Sequence, residues 1–169
     1  MRLKLTHIPD AETERLLDRW SQIERYLPGP VTRRGGDALR LAFAENFSSE
    51  GQGQWMPLTK RTEDEREALG YPRKHPILVR EGDLMESVIN PAHPLHFEQM
   101  SDDGDGRMVL SLGSLDERYE VLHFGDGDMA NPIIGGTIPA RPMMVLWEHQ
   151  EAGVEMALVW AVEEALGIR

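Results

Sequence analysis

Residues Leu95 to Leu112 read LHFEQMSDDGDGRMVLSL, two short runs separated by aspartate and glycine. In the second run Met108, Leu110 and Leu112 alternate with Val109 and Ser111, which puts the three larger apolar residues on one face of a strand. Ser101 to Gly106 supplies turn residues between the runs, so the stretch predicts an antiparallel hairpin with an acidic tip. Strand-like character extends upstream to Ile77-Leu78-Val79 and to Val88-Ile89, while helical spacing dominates both ends of the chain. The pattern predicts a single α+β domain with a mainly antiparallel sheet, helices packed on one face and a C-terminal helix. Its parts are a helical segment 10–70, a strand-rich segment 77–147 and a terminal helix 148–166. Neither an internal repeat nor a low-complexity linker divides the chain.

Around that centre the local signals follow standard chemistry. Arg2 to His7 alternates, with Leu3 and Leu5 on one side, and predicts a short half-buried strand. Asp10 is a good N-cap, Glu12 and Glu14 suit the positive end of a helix dipole, and Leu16, Leu17, Trp20, Ile23 and Leu27 recur at helical spacing. Pro28-Gly29-Pro30 is expected to end that helix. A second is predicted over Asp37–Phe47, broken by Ser48-Ser49-Glu50-Gly51. Gln52 to Thr62 reads as irregular, and Glu63 to Leu69 as a turn or two of helix ended by Gly70. Within the irregular stretch, Trp55 is either a lid folded over the core or a contact residue, since tryptophan is enriched at interface hot spots. The final helix, stopped by Gly167, carries Val154, Leu158, Ala161, Val162 and Ala165 as one broad stripe. Met156 and Trp160, four residues apart, fall on a different face, which either a neighbouring loop or another subunit would cover.

Composition narrows the classes of function. The chain has 169 residues, a net charge of -11 and no cysteine. Length suits one domain with its own core. The missing cysteines exclude disulfide scaffolds, thiolate nucleophiles and cysteine-ligated zinc. Acidity argues against specific nucleic-acid binding, because a phosphate backbone calls for a basic face. The pairs Arg33-Arg34, Lys60-Arg61 and Arg73-Lys74 read as solvated loop charges. No signal peptide or membrane span is expected, so the chain reads as soluble.

A second stretch, Tyr119 to Pro142 (YEVLHFGDGDMANPIIGGTIPARP), carries the distinctive chemistry. His123-Phe124-Gly125 reads as a turn that lets an acidic, glycine-rich loop leave the sheet, with Gly125 supplying backbone freedom. The loop Asp126 to Gly136 is expected to be mobile in a free subunit and ordered on assembly. Beyond it, Pro139 and Pro142 bracket Arg141, and fixed φ values make Ile138 to Pro142 a stiff extended strut. Arg141 is then either bridged to the core by an ion pair within the monomer, or presented to a carboxylate on the next subunit or on a partner protein.

Tests for catalysis find no constellation. Gly125 to Ala130 matches G-x-G-x-x-A, but Asp126 and Asp128 would face a pyrophosphate and Asn131-Pro132 interrupts the required helix. Asp103, Asp105 and Gly106 imitate part of a calcium loop whose twelfth position would be Leu112 instead of glutamate. His123 with Asp126 and Asp128 offers a partial metal set, while His75, His93, His96 and His149 lack ligand spacing. Catalytic residues, cofactor-binding residues and resident metal are each expected to be none. The competing reading is a small metal-dependent hydrolase using the acidic loop Asp126–Asp128.

Several motifs, taken in order, resemble one family. They are Gly53-x-Trp55-x-Pro57-Leu58 with Thr62, Ile77-Leu78 with Gly82-x-Leu84-x-x-Ser87-Val88, Tyr119-x-x-x-His123-Phe124-Gly125, and Ile138-Pro139-Ala140-Arg141-Pro142. Together they are similar to the tail completion and virion morphogenesis proteins of Mu-like and P2-like contractile-tail phages. Glu81 and Val121-Leu122 depart from the family's usual residues. The resemblance implies a non-enzymatic protein at the head-proximal end of the tail, completing it and joining it to the capsid, as a ring of six. Implied partners are further copies of the chain, tail tube or sheath proteins and head-tail connector proteins. DNA would pass through an acidic lumen, and the site of action would be the virion after assembly in the host cytoplasm. Interface candidates are Trp55, His123, Phe124, Pro139, Arg141, Pro142, Met156 and Trp160.

Overall fold

The N-terminal helical part begins where its capping residue dictates. In a computed structural model, which describes residues 10–73, 76–105, 107–125 and 138–168, Asp10 accepts the Thr13 N–H at 2.8 Å and opens α1 (Ala11–Ser21). The expected strand Arg2–His7 and the acidic loop Asp126–Gly136 lie outside the described residues. Pro28-Gly29-Pro30 does not end the helical path, contrary to expectation. The break falls at Gln22, α2 (Ile23–Tyr26) follows, and the prolines begin a fresh turn, α3 (Pro28–Pro30). At the first position of a turn the missing proline N–H has no intrahelical acceptor to lose, so the ring starts a helix more readily than it stops one. The path runs on through a π-helical stretch, Val31–Gly35, into α4 (Gly36–Ser48).

α4 supplies the floor of the core. It buries Ala42, Phe43, Asn46 and Phe47 at i, i+1, i+4 and i+5 spacing, while Leu41 on the opposite side is exposed. After α4 a tight turn folds Trp55 back so that its ring meets Phe47 edge to face, with centroids 5.9 Å apart at 87°. Gly51 has φ +64 and lies directly under the Trp55 indole, so a Cβ there would overlap the ring. α5 (Lys60–Ala68) follows, capped by Thr59, and is longer than the turn or two predicted.

The predicted strand Ile77-Leu78-Val79 is a turn. Leu78 takes φ +64, Ile77 is buried in the core and its N–H donates to Glu50 Oε1 at 3.0 Å, so its apolar character comes from burial without strand pairing. α6 (Asp83–Ile89) takes in Val88-Ile89 and buries Leu84, Ser87 and Val88, the i, i+3, i+4 signature of a helix face. The hairpin is formed by β1 (His96–Asp102) and β2 (Met108–Ser114), antiparallel, with His96 opposite Ser114 and Asp102 opposite Met108. Among the described residues these two strands are the whole sheet. The fold class is α+β as expected, with the helices providing most of the regular structure.

Polar contacts help to fix the hairpin on the helices. Ser87 and Ser114 share a hydroxyl hydrogen bond of 2.6 Å, and Arg40 of α4 forms an ion pair with Glu98 of β1 where both are largely buried. His123-Phe124-Gly125, expected as a turn by which the chain leaves the sheet, instead closes a helix, α7 (Arg118–Phe124), with Gly125 just beyond its end. Asp116 starts it by accepting the Arg118 N–H at 2.9 Å, and Tyr119, Leu122 and His123 line one helical face. The C-terminal α8 (Glu148–Leu166) buries Val154, Ala157, Ala161 and Ala165, the small residues allowing close approach to α4 and the π-helical stretch.

Candidate functional site

Three segments far apart in sequence meet beside the proline strut. The Trp55 indole N–H donates to the Pro142 carbonyl at 3.3 Å, and Arg141 Nη2 donates to the Met56 carbonyl at 3.2 Å. From the other side, the Arg141 N–H donates to the Leu122 carbonyl of α7 at 2.9 Å, and the Met143 N–H donates to His123 Nδ1 at 3.1 Å. The strut is therefore stitched to the Trp55 loop on one flank and to α7 on the other. Gly125 makes this possible. It ends α7 at φ 75 and ψ 174, and a Cβ there would stand 2.8 Å from Ala140 N and Ile138 O.

His123 is buried, with Tyr119 at 5.2 Å and Phe124 at 4.5 Å between ring centroids. Burial lowers its pKa below the usual 6.5, and the Met143 N–H needs a free Nδ1 lone pair, so the ring is neutral with its proton on Nε2. Such a histidine serves as a structural acceptor. Trp55 is 6% exposed and belongs to the core cluster, the first of its two predicted roles.

Arg141 fits neither alternative in full. It is 7% exposed and bridges the strut to the Trp55 loop, yet it does so through a carbonyl and without a carboxylate partner among the described residues. Its Nε is buried and makes no hydrogen bond. Burial lowers its pKa, and the neighbouring Arg66 adds to the effect. Leaving a guanidinium dry without a counter-charge is costly, which makes this residue the least satisfied group of the junction. It lines a cavity of about 520 Å³ between α5, the 78–84 turn and the strut, together with Arg66 and Pro139.

The remaining candidates lie elsewhere. Phe124 is 68% and Met156 49% exposed, and Trp160, at 37%, lies beside Met156 on the outer face of α8 with Val159. A shallow groove between α4 and α8 runs past Leu41 and Trp160. Asp126 and Asp128 lie outside the described residues, and among the described residues no group of three acidic or histidine side chains could hold a metal ion. No described helix is long and apolar enough to cross a membrane.

Sequence reasoning missed a buried polar cluster. Asn46 on α4 donates to the carbonyls of Met143 and Val145 at 3.0 and 2.7 Å and accepts from the Trp147 indole at 2.8 Å. Gln150 donates to the Ala42 carbonyl at 3.0 Å and accepts the Trp147 N–H at 3.0 Å. A polar residue inside the Phe43–Phe47 stripe was the available signal. Arg66, within a run of charges, gave none, although it is buried and donates to the Pro76 carbonyl at 3.0 Å. Comparison with known proteins finds no matching family model, no matching curated protein and no matching solved structure.

Proposed function

We propose that this chain is a non-enzymatic structural protein at the head-proximal end of a contractile phage tail, where it completes the tail and joins it to the capsid. The carrying observation is that the motif residues of the resemblance converge. Trp55 and Pro142, 87 positions apart, are hydrogen-bonded, and His123, Gly125 and Arg141 belong to the same junction. Residues that jointly build the central joint of a fold are those a shared architecture leaves recognisable in sequence. That supports common descent over coincidental matching of short motifs.

The protein acts as a ring, with six copies the expected number, between tail tube or sheath proteins and the head-tail connector. Exposed Phe124, Met156 and Val159 offer apolar surface to such neighbours. A net charge of -11 suits a channel through which DNA moves without being held. Deleting the gene from a producing phage or prophage is expected to yield separate heads and tails with loss of infectivity. Electron microscopy of wild-type particles is expected to place the chain in a ring at the top of the tail. Unchanged titre on deletion, or purified particles lacking the chain, overturns this function.

A further inference from the structure

The base of the hairpin holds a buried titratable pair. His96 opens β1 with its side chain 4% exposed, and the Glu98 side chain beside it is 12% exposed. Ring nitrogen Nδ1 lies 3.1 Å from the Ser87 carbonyl oxygen, and Nε2 lies 3.3 Å from Glu98 Oε2. A carbonyl and a carboxylate are both acceptors, whereas a neutral imidazole offers a single N–H. Such a ring serves one of its two neighbours and turns a lone pair on the other. Shielded from water, that arrangement is unfavourable.

Two further observations favour a second proton at this pair. The Ser87 carbonyl has lost its helical donor, because α6 ends at Ile89 and the residue four places on is Pro91, which has no N–H. His96 therefore caps the C-terminal end of α6, the end of a helix that favours a cation. Charge balance points the same way. Glu98 also pairs with Arg40 of α4, which in turn pairs with Asp37 at 2.7 Å. With one added proton the cluster contains two cations and two anions; without it, a carboxylate is in excess. Among the described residues the neighbouring charges are engaged elsewhere. Asp83 of α6 meets His93 and Arg118, Glu86 of α6 accepts from Asn90, and Asp116 holds Arg118. On β2, the residue opposite His96 is the uncharged Ser114.

We propose that the His96–Glu98 pair holds one extra proton in the folded protein and works as a proton-operated latch, clasping the base of the hairpin to α4 and α6. The proton lies between Nε2 and Oε2, while the Nδ1–H is given to Ser87. Its loss leaves two lone pairs facing each other, and the ring releases either the carboxylate or the helix end. Because the protonated form is the clasped one, the latch is closed at low pH and opens as pH rises. That sign is opposite to the one at His123, whose buried ring is held neutral. The latch sets how firmly the hairpin is held, and with it the exposed tip at Asp102, Asp103 and Asp105.

Amide hydrogen exchange of the full-length chain, followed by NMR across about pH 5 to 8 and corrected for the intrinsic rise of exchange with pH, tests the latch. Protection of the β1 and β2 amides is expected to fall at least about tenfold as the ring loses its proton, the size of one charge-assisted hydrogen bond. Nitrogen spectra of the ring should show both His96 nitrogens protonated on the acid side of that fall and one of them bare on the other side. In His96→Gln the protection should be level across the range, since glutamine does not titrate. Glu98→Gln should be level as well, because its amide donates to a bare Nε2 and accepts from a protonated one. Wild-type protection that is level or rises with pH overturns the latch, as does an equal fall in either variant. A His96 ring that is neutral at about pH 5 overturns it too. Should His96→Gln not fold, Glu98→Gln and the ring spectrum decide.

Discussion

Asn46→Ala removes the α4 side chain whose hydrogen bonds tie the segment after the strut to that helix. Four hydrogen bonds end on the Asn46 amide, at 3.0 and 2.7 Å from its nitrogen and at 2.8 and 3.3 Å to its oxygen. Gln150 keeps other acceptors, the Ala42 carbonyl and Glu45, so its loss is small. The Met143 and Val145 carbonyls and the Trp147 indole N–H are left without their partner. Each buried group without a partner costs about 1–3 kcal/mol, and partial access of water to Val145 and Trp147 holds the sum to about 3–5 kcal/mol. With a urea dependence of about 2 kcal/mol per molar, the unfolding midpoint should fall by about 2 M at unchanged slope. Tryptophan fluorescence during urea titration reads this directly. A midpoint shift under about 0.5 M would refute the claim that this amide holds the junction together.

Gly125→Ala should cost about 2–4 kcal/mol, because φ 75 with ψ 174 is nearly closed to alanine and the new methyl meets the strut backbone; thermal unfolding measures it. For His123 the folded pKa lies below 6.5, so the unfolded chain binds the proton first and stability falls as pH drops below that value; His123→Gln, compared in urea titrations across pH 7 to 5, should flatten that part of the decline. Met156→Glu, at an exposed position, should leave the unfolding free energy from urea titration within about 0.5 kcal/mol of wild type, while loss of particle assembly in a complementation assay would mark the outer face of α8 as a contact.

Local signals were legible wherever a side chain acts on its own backbone neighbourhood. Asp10 as a cap, the aspartate and glycine turn of the hairpin and Gly167 as a stop all appear as expected. Apolar runs were harder, since burial and strand pairing leave the same mark. Ile77 is apolar because it fills the core, and Tyr119 to Phe124 because one helix face does. The prolines at 28 and 30 show that a residue which breaks a helix interior can begin one, a distinction that depends on where the preceding turn ends. At the candidate site, sequence singled out Trp55, His123 and Arg141 without revealing that they belong to one junction. Their proximity depends on contacts across large separations, which no local pattern encodes. Asn46 and Arg66 went unnoticed because a polar residue declares its burial only through distant partners.

The pinning of both sides of Gly125 has an evolutionary corollary. Ile138 and Ala140 lie against Gly125, and Arg141 is bonded to Leu122, so the chain entering and leaving segment 126–137 is clasped at a fixed neck. Any side chain at Gly125 would have to be matched by a shift of the backbone at 138–140, so related chains are expected to keep glycine at this point even where the residues around it drift.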